Sequence, residues 1–183
     1  MAAPPRRMPR QKPGESKQDY GTPRVFLDAV EKRFGKIAFD LAAHKKNDVT
    51  RRGFYFGPGS MYAEDSLAQD WRRAPTGVLW LNPPFSHIKP WAKKCSESYP
   101  PPRWDLQGLS PKRKILFLVP ASVGANWFWE YVQPYSLVIP LSPRLAFDGQ
   151  PVNPVTGKID PYPKDLMLCC YGYGPGVERW VWQ

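Results

Sequence analysis

Two short apolar runs constrain the fold of this chain more than any other feature. They are GVLWL at 77–81 and ILFLVP at 115–120, and each is apolar at nearly every successive position. A strand with one wet face alternates in polarity, whereas a short continuous apolar run is typical of a strand buried on both faces. The two runs therefore favour a parallel sheet covered by other elements.

Helical patterns lie between the predicted strands. In TPRVFLDAVEKRFG (22–35) apolar residues recur at helical spacing, Thr22 suits the cap, Pro23 suits the first turn and Gly35 suits the end. Two further segments predict helices: Ile88 to about Tyr99, and ANWFWEYV (125–132). Four more predict strands: IAFDLAA (37–43), LVIPL (137–141), DLMLCCYG (165–172) and VERWVW (177–182). This order predicts an α/β fold with a mostly parallel central sheet, helices on both faces and a C-terminal antiparallel strand pair.

Charge and composition divide the chain and restrict its partners. Residues 1–18 carry five basic residues and four prolines with little that is apolar, which predicts a disordered basic tail before one domain at 19–183. The net charge of +10 favours a polyanion, nucleic acid rather than a membrane. Three cysteines and two histidines predict reduced thiols and no metal site. We expect a soluble intracellular protein, and the sequence does not determine its oligomeric state.

NPPF, at 82–85, follows the first apolar run and presents an amide and an aromatic ring. Proline has no N–H, so the backbone at Pro83 and Pro84 is rigid and offers carbonyl acceptors. The Asn82 side-chain oxygen and the Pro83 carbonyl can together accept both hydrogens of a planar NH₂ group, such as the exocyclic amine of adenine, while Phe85 stacks on its ring. A proline turn after a buried strand is the plain alternative.

A series of segments in order resembles the phage-type Dam family of DNA N6-adenine methyltransferases. The segments are YGTP, FGKIAFDLAA, Asn47, FYF, EDSLAQDW, VLWLNPPFSHIKPW, LVPAS with NWFWEYV, and SPRLAF. The resemblance implies a Rossmann-like fold that uses S-adenosylmethionine and acts on DNA in the cytoplasm of a bacterial host cell, with NPPF as the catalytic motif. Because a base inside a duplex cannot reach such a pocket, it also implies base flipping.

The same resemblance assigns cofactor contacts. It implies that the methionine end of S-adenosylmethionine lies against Thr22, Pro23 and Asp40, with Ala42 and Ala43 leaving room for it. It implies that Asp65 accepts from the adenine amine of the cofactor, with Ser66 and Leu67 beside the ring. Asn47 is a candidate for the ribose hydroxyls. The plain alternatives are that Asp40 and Asp65 only cap the segments that follow them.

DNA contacts are expected from basic and loop residues. The candidates are Arg144 in SPRLAF, for which a solvated side chain is an equal alternative, and Lys112 and Arg113 at the basic end of the loop at 100–114. Loops at 100–114 and 148–163 are expected to read a short or relaxed target, because no segment is large enough for a separate recognition domain. Four tryptophans are expected in the core: Trp71, Trp80, Trp127 and Trp129.

Two other functions stay open at this level. NPPF chemistry can act on RNA bases or on a glutamine side chain of a protein. The chain can also be a DNA-binding relic that keeps the fold and has lost catalysis. Phage or prophage origin follows from the resemblance alone.

Overall fold

The computed structural model describes residues 20–99 and 113–183. The predicted tail at 1–18, most of the loop at 100–114 and the candidate Lys112 lie outside the described residues. Within these ranges the chain forms a mixed α/β structure with one seven-stranded sheet and three α-helices.

The helices are α1 (Arg24–Phe34), α2 (Ile88–Ser98) and α3 (Asn126–Tyr131). The predicted cap of α1 is wrong by one residue. Pro23 is the N-cap residue, and its carbonyl accepts from the N–H groups of Phe26 and Leu27 at 3.0 and 3.1 Å. Thr22 therefore lies before the helix, and its hydroxyl is used elsewhere.

The strands follow the predicted order along the chain, but their pairing has one reversal. They are β1 (Ile37–Asp40), β2 (Gly77–Leu81), β3 (Arg113–Pro120), β4 (Ser136–Ser142), β5 (Leu166–Tyr171), β6 (Gly176–Val177) and β7 (Trp180–Val181). β1, β2 and β3 lie side by side and are parallel. β5 lies between β3 and β4 and runs antiparallel to both, so β4 points the same way as β3.

The predicted antiparallel pair at the C terminus is wrong. β6 and β7 are two-residue strands that pair with β4 and run parallel to it, rather than pairing with β5. β5 is instead buried along its whole length, because it occupies a central position with a neighbour on each side. A C-terminal apolar run such as DLMLCC indicates a buried strand, but it does not indicate which neighbours the strand will have.

Alternate side chains of the strands enter two separate apolar clusters. One cluster contains Leu79, Leu81 and Phe117 together with residues of α2 and α3. The other contains Trp80 and Leu118 together with residues of α1. Trp71 and Trp80 belong to these clusters as expected, whereas Trp127 is only half-buried and Trp129 is 58% exposed. No helix in the described part of the chain is long and apolar enough to cross a membrane.

Candidate active site

Polar side chains follow β1 and β2 at the same edge of the sheet. Asp40 is the last residue of β1, and Asn82 comes directly after the last residue of β2. The two strands are parallel and in register at Asp40 and Trp80, and the Leu41 N–H donates to the Trp80 carbonyl at 2.8 Å. Because ligands bind outside the carboxyl ends of parallel strands, this edge is the candidate site.

The Asn82 amide is held by a residue that lies sixty positions earlier. Its Nδ2 donates to the Thr22 hydroxyl oxygen at 3.1 Å, and Thr22 is buried. Asn82 itself is half-buried, Pro83 is buried and Pro84 is exposed. With its NH₂ group engaged by Thr22, the amide has its oxygen left to accept a hydrogen bond from a ligand.

The Asp40 carboxyl group is almost fully buried and organises the loop after β1. Its two oxygens accept from the N–H groups of Ala42 at 3.1 Å and Val49 at 3.3 Å. Burial, with a smaller contribution from the nearby Asp48, raises the pKa of Asp40 to about 7, against the two backbone hydrogen bonds that lower it. A buried carboxyl group with this pKa favours a positively charged partner, because such a partner stabilises the ionised form. The capping alternative for Asp40 is realised, and it leaves the predicted ligand role open.

An aromatic group surrounds the ring of Phe85. Phe85 meets Phe147 edge to face at 6.2 Å and Tyr162 at 5.8 Å between ring centroids, and these two rings also meet at 5.4 Å. Phe147 and Tyr162 lie on the long connection from β4 to β5. Sequence reasoning missed both as site residues, because the contact spans more than sixty positions and leaves no local spacing signal.

Backbone hydrogen bonds attach the same connection to the segment that carries Thr22. Gly21 and Asp148 exchange two hydrogen bonds of 3.1 and 2.9 Å. The segment before α1, the NPPF segment and the β4–β5 connection therefore converge on one place. SPRLAF, quoted above as a matching segment, ends at Phe147 and was the available signal for this convergence.

A cleft of about 740 Å³ opens beside Thr22. Asn47 lines it, and the Asn47 side-chain oxygen accepts from the His44 N–H at 2.7 Å, which fixes the loop. Lys45, Lys46 and Arg51 line this cleft and an adjacent one of about 580 Å³. The volume falls within the range of small-ligand sites, and the rim carries positive charge.

The turn predicted to hold the cofactor adenine is built by local contacts. The exposed Asp65 carboxylate accepts from the N–H groups of Leu67 at 3.0 Å and Ala68 at 3.3 Å, which is the capping alternative. Leu67 is half-buried against the core. The Ser66 hydroxyl is buried and has no hydrogen-bond partner within residues 20–99 and 113–183. A buried hydroxyl of this kind is costly unless it is partnered, so a ligand atom here would relieve that cost.

The candidate DNA contacts are scattered. Arg144 is exposed on the β4–β5 connection, where its Nε donates to the Asp165 carboxylate at 2.8 Å rather than pointing freely into solvent. Arg113 begins β3 at the opposite edge of the sheet from Asn82, and its Nε donates to the Ala74 carbonyl. The structure thus places Arg144 on the connection that carries Phe147 and Tyr162, and does not bring Arg113 to the candidate site. Among the described residues, no group of three or more histidine, cysteine, aspartate or glutamate side chains is arranged to hold a metal ion.

Comparison with known proteins gives one family and one curated relative. The family DNA N-6-adenine-methyltransferase (Dam) matches residues 10–161. The relative is a DNA N-6-adenine-methyltransferase of Escherichia phage T1, which is 28% identical over 131 residues. That alignment covers 70% of this chain and 47% of the relative, so the chain spans about half the length of the curated protein it matches. No solved structure matches.

Proposed function

The chain belongs to the DNA N-6-adenine-methyltransferase (Dam) family, and we propose that it transfers a methyl group from S-adenosylmethionine to the N6 amine of adenine in DNA. One observation carries the proposal: Asn82 stands at the carboxyl end of β2 with its NH₂ group bound to Thr22. The amide oxygen is then the group that faces an incoming amine. This is the orientation that an acceptor for an N–H donor requires.

The residues of the NPPF segment hold and activate the amine. The exocyclic nitrogen of adenine is a weak nucleophile because its lone pair is delocalised into the ring. Asn82 Oδ1 and the Pro83 carbonyl accept its two hydrogens, which favours a pyramidal nitrogen with its lone pair free. Phe85 packs on the base and is itself held by Phe147 and Tyr162. Most of the rate acceleration then comes from position and orientation.

The residues at the carboxyl edge fit S-adenosylmethionine, which when bound supplies an electrophilic methyl group. Asp40 is a buried carboxyl group suited to a cationic partner, and this cofactor carries an ammonium and a sulfonium. Thr22 and Asn47 line the cleft, Pro23 follows Thr22 at the start of α1, and the Ala42 N–H donates to Asp40. The unpartnered Ser66 hydroxyl supports the predicted adenine end at Asp65, Ser66 and Leu67. A Rossmann-like methyltransferase fold is part of the proposal, supported by the parallel β1, β2 and β3.

DNA as the substrate class is supported by the family and by charge. The net charge of +10 favours a polyanion, and four cations line the cleft beside Thr22 against two carboxylates, those of Asp48 and Asp148. We place the reaction in the cytoplasm of a bacterial host, with a flipped adenine between Asn82 and Phe85.

The test is transfer to purified substrates. Wild type, Asn82→Ala and the control Asn126→Ala, which changes an exposed asparagine at the start of α3, are incubated with S-adenosylmethionine and DNA. Mass spectrometry of the digested nucleosides then measures N6-methyladenine. We expect wild type and Asn126→Ala to form it, and Asn82→Ala to be slower by about 10²–10³-fold with cofactor affinity nearly intact.

Other outcomes decide between this proposal and its alternatives. If the protein methylates RNA or protein glutamine but not DNA, the substrate is RNA or protein and the proposal of DNA is wrong. Calorimetry that finds no S-adenosylmethionine binding by the folded protein would favour a catalytically inactive DNA-binding relic. Full activity of Asn82→Ala would refute the role of the amide.

A further inference from the structure

A second cleft adjoins the NPPF segment, and Phe85 is the one residue of its described lining that has a role in the chemistry above. Its volume is about 520 Å³, and Phe85 forms part of its wall together with Pro120 at the end of β3. None of its described lining residues also lines the cleft beside Thr22. The two clefts are therefore separate, and Phe85 places the second one beside the NPPF segment.

The lining of the second cleft combines an aromatic ring with cations. Trp127 is half-buried in its wall, where it packs against the core cluster of α2 and α3 and meets the buried Phe128 edge to face at 6.3 Å. Lys89 and Lys164 also line it and are exposed. Lys89 lies 3.3 Å from Glu130, whereas Lys164 has no ion-pair partner within the described ranges.

We propose that this cleft binds the nucleotide next to the methylated adenine on the same DNA strand, with its base against Trp127 and its phosphate at Lys164. The inference rests on the proposed function. Phe85, which is assigned to the flipped adenine, also forms part of the wall of this cleft. The cleft therefore adjoins the place assigned to the adenine, which is where the neighbouring nucleotide of the same strand has to lie.

The chemistry of the lining fits one nucleotide. An indole face accepts any base by stacking, and an ammonium binds a phosphate, which is the combination that single-stranded nucleic-acid sites use. The volume is of the order of a single small-ligand site, about 300–1,000 Å³, and is too small for a duplex. A base next to a flipped nucleotide has lost a stacking neighbour, and Trp127 replaces it.

Binding of labelled DNA to the full chain tests the proposal. The variants are Trp127→Ala, Trp127→Phe and Lys164→Gln. The matched controls are Trp129→Ala, which removes an exposed indole from the same helix, and Lys158→Gln, which removes an exposed lysine from the same connection. Each protein is titrated by fluorescence anisotropy with intact DNA, and with DNA carrying an abasic site immediately 5′ or 3′ of the target adenine.

We expect Trp127→Ala to weaken binding of intact DNA by about tenfold, the order of one base–aromatic stack, and Trp127→Phe to restore most of it. On DNA that is abasic on one side of the adenine, Trp127→Ala is expected to cause no further loss. Lys164→Gln is expected to lower the slope of log affinity against log salt by about 0.9, the value for one phosphate of duplex DNA. Both controls are expected to match wild type.

The proposal would be overturned if Trp127→Ala lowered the affinity equally for intact DNA and for both abasic DNAs. It would also be overturned if Trp127→Ala, with thermal unfolding like that of wild type, did not lower DNA affinity at all. Tighter binding of RNA than of DNA of the same sequence would overturn the assigned ligand. If wild type methylates adenine but the effect of Trp127→Ala does not depend on the neighbouring base, the cleft proposal alone is refuted. Failure of wild type to methylate or bind DNA would remove the proposed function itself.

Discussion

The Thr22 hydroxyl oxygen lies 3.1 Å from Asn82 Nδ2 and accepts its hydrogen bond. This contact joins the segment before α1 to the end of β2 and orients the amide. Thr22→Val keeps the shape of the side chain and removes the acceptor. We expect kcat to fall by about tenfold, the order of one hydrogen bond, and Thr22→Ser to restore it. Steady-state kinetics at saturating cofactor measure both.

The same variant separates two roles of Thr22. If Thr22 orients Asn82, Thr22→Val leaves the Kd for S-adenosylmethionine nearly unchanged and has little further effect in an Asn82→Ala background. A large rise in that Kd with unchanged kcat would instead assign Thr22 to the cofactor alone.

Asp40 is expected to make stability depend on pH. Its pKa in the folded protein is about 7, whereas aspartate in an unfolded chain ionises near pH 4. Because the folded protein holds this proton more tightly than the unfolded chain does, the stabilisation that comes from it is fully present below about pH 4. Between about pH 4 and pH 7 the free energy of unfolding falls by about 1.4 kcal/mol per pH unit. Asp40→Asn removes this slope, so its stability deficit relative to wild type shrinks as the pH rises.

Urea unfolding at several pH values between about 5 and 8 measures the difference. Asp165→Asn, which changes an exposed aspartate, is the control. Parallel pH profiles for wild type and Asp40→Asn would contradict the raised pKa.

Gly57 is required by a close backbone approach. Its φ is +140°, and a Cβ at this position would lie 1.8 Å from the Ala43 carbonyl oxygen. Because that neighbour is backbone, Gly57→Ala must push the chain at Gly57 away from Ala43. This movement disturbs the adjacent hydrogen bond from the Ala43 N–H to the Phe56 carbonyl. We expect a loss of at least about 2 kcal/mol in the free energy of unfolding. Gly124→Ala, where nothing lies within 4 Å of a new Cβ, is the neutral control in the same denaturation experiment.

Arg144 and Asp165 form an exposed ion pair on the β4–β5 connection. If Arg144 contacts DNA phosphate, Arg144→Gln lowers DNA affinity by a few-fold and reduces its salt dependence by about one phosphate. Asp165→Asn frees the guanidinium and is expected to raise DNA affinity, with protein stability changed by at most about 1 kcal/mol. Unchanged DNA binding in both variants would assign Arg144 to the surface pair alone.

Local patterns in the sequence predicted the elements that position the site. β2, β3, α1 and α2 fall within a few residues of their predicted bounds, because continuous apolar runs and helical periodicity are properties of neighbouring residues. Asp40 and Asn82 were predicted at strand ends for the same reason. Their roles with a ligand remain predictions.

Long-range pairings were not predictable in this way. The insertion of β5 between β3 and β4, the bonds between Gly21 and Asp148, and the packing of Phe147 on Phe85 all join distant parts of the chain. Trp129 was expected in the core because tryptophan is usually buried, yet α3 turns it outward. The hydroxyl of Thr22 is predicted to cap α1 from the local pattern alone. The sequence does not show that it accepts instead from the amide of Asn82, sixty positions later.

Because β5 runs antiparallel to β4, one long connection joins the two strands at the carboxyl edge of the sheet. β4 ends and β5 begins at the carboxyl edge, so the connection at 143–165 leaves and re-enters the sheet at the same place. Its exposed tip at 154–158 can lengthen or shorten without moving any strand hydrogen bond, because loop length costs little free energy, whereas Leu145 and Phe147 are fixed in the core. If this connection reads DNA, as proposed, a change confined to its exposed tip would alter the target preference and leave the sheet intact.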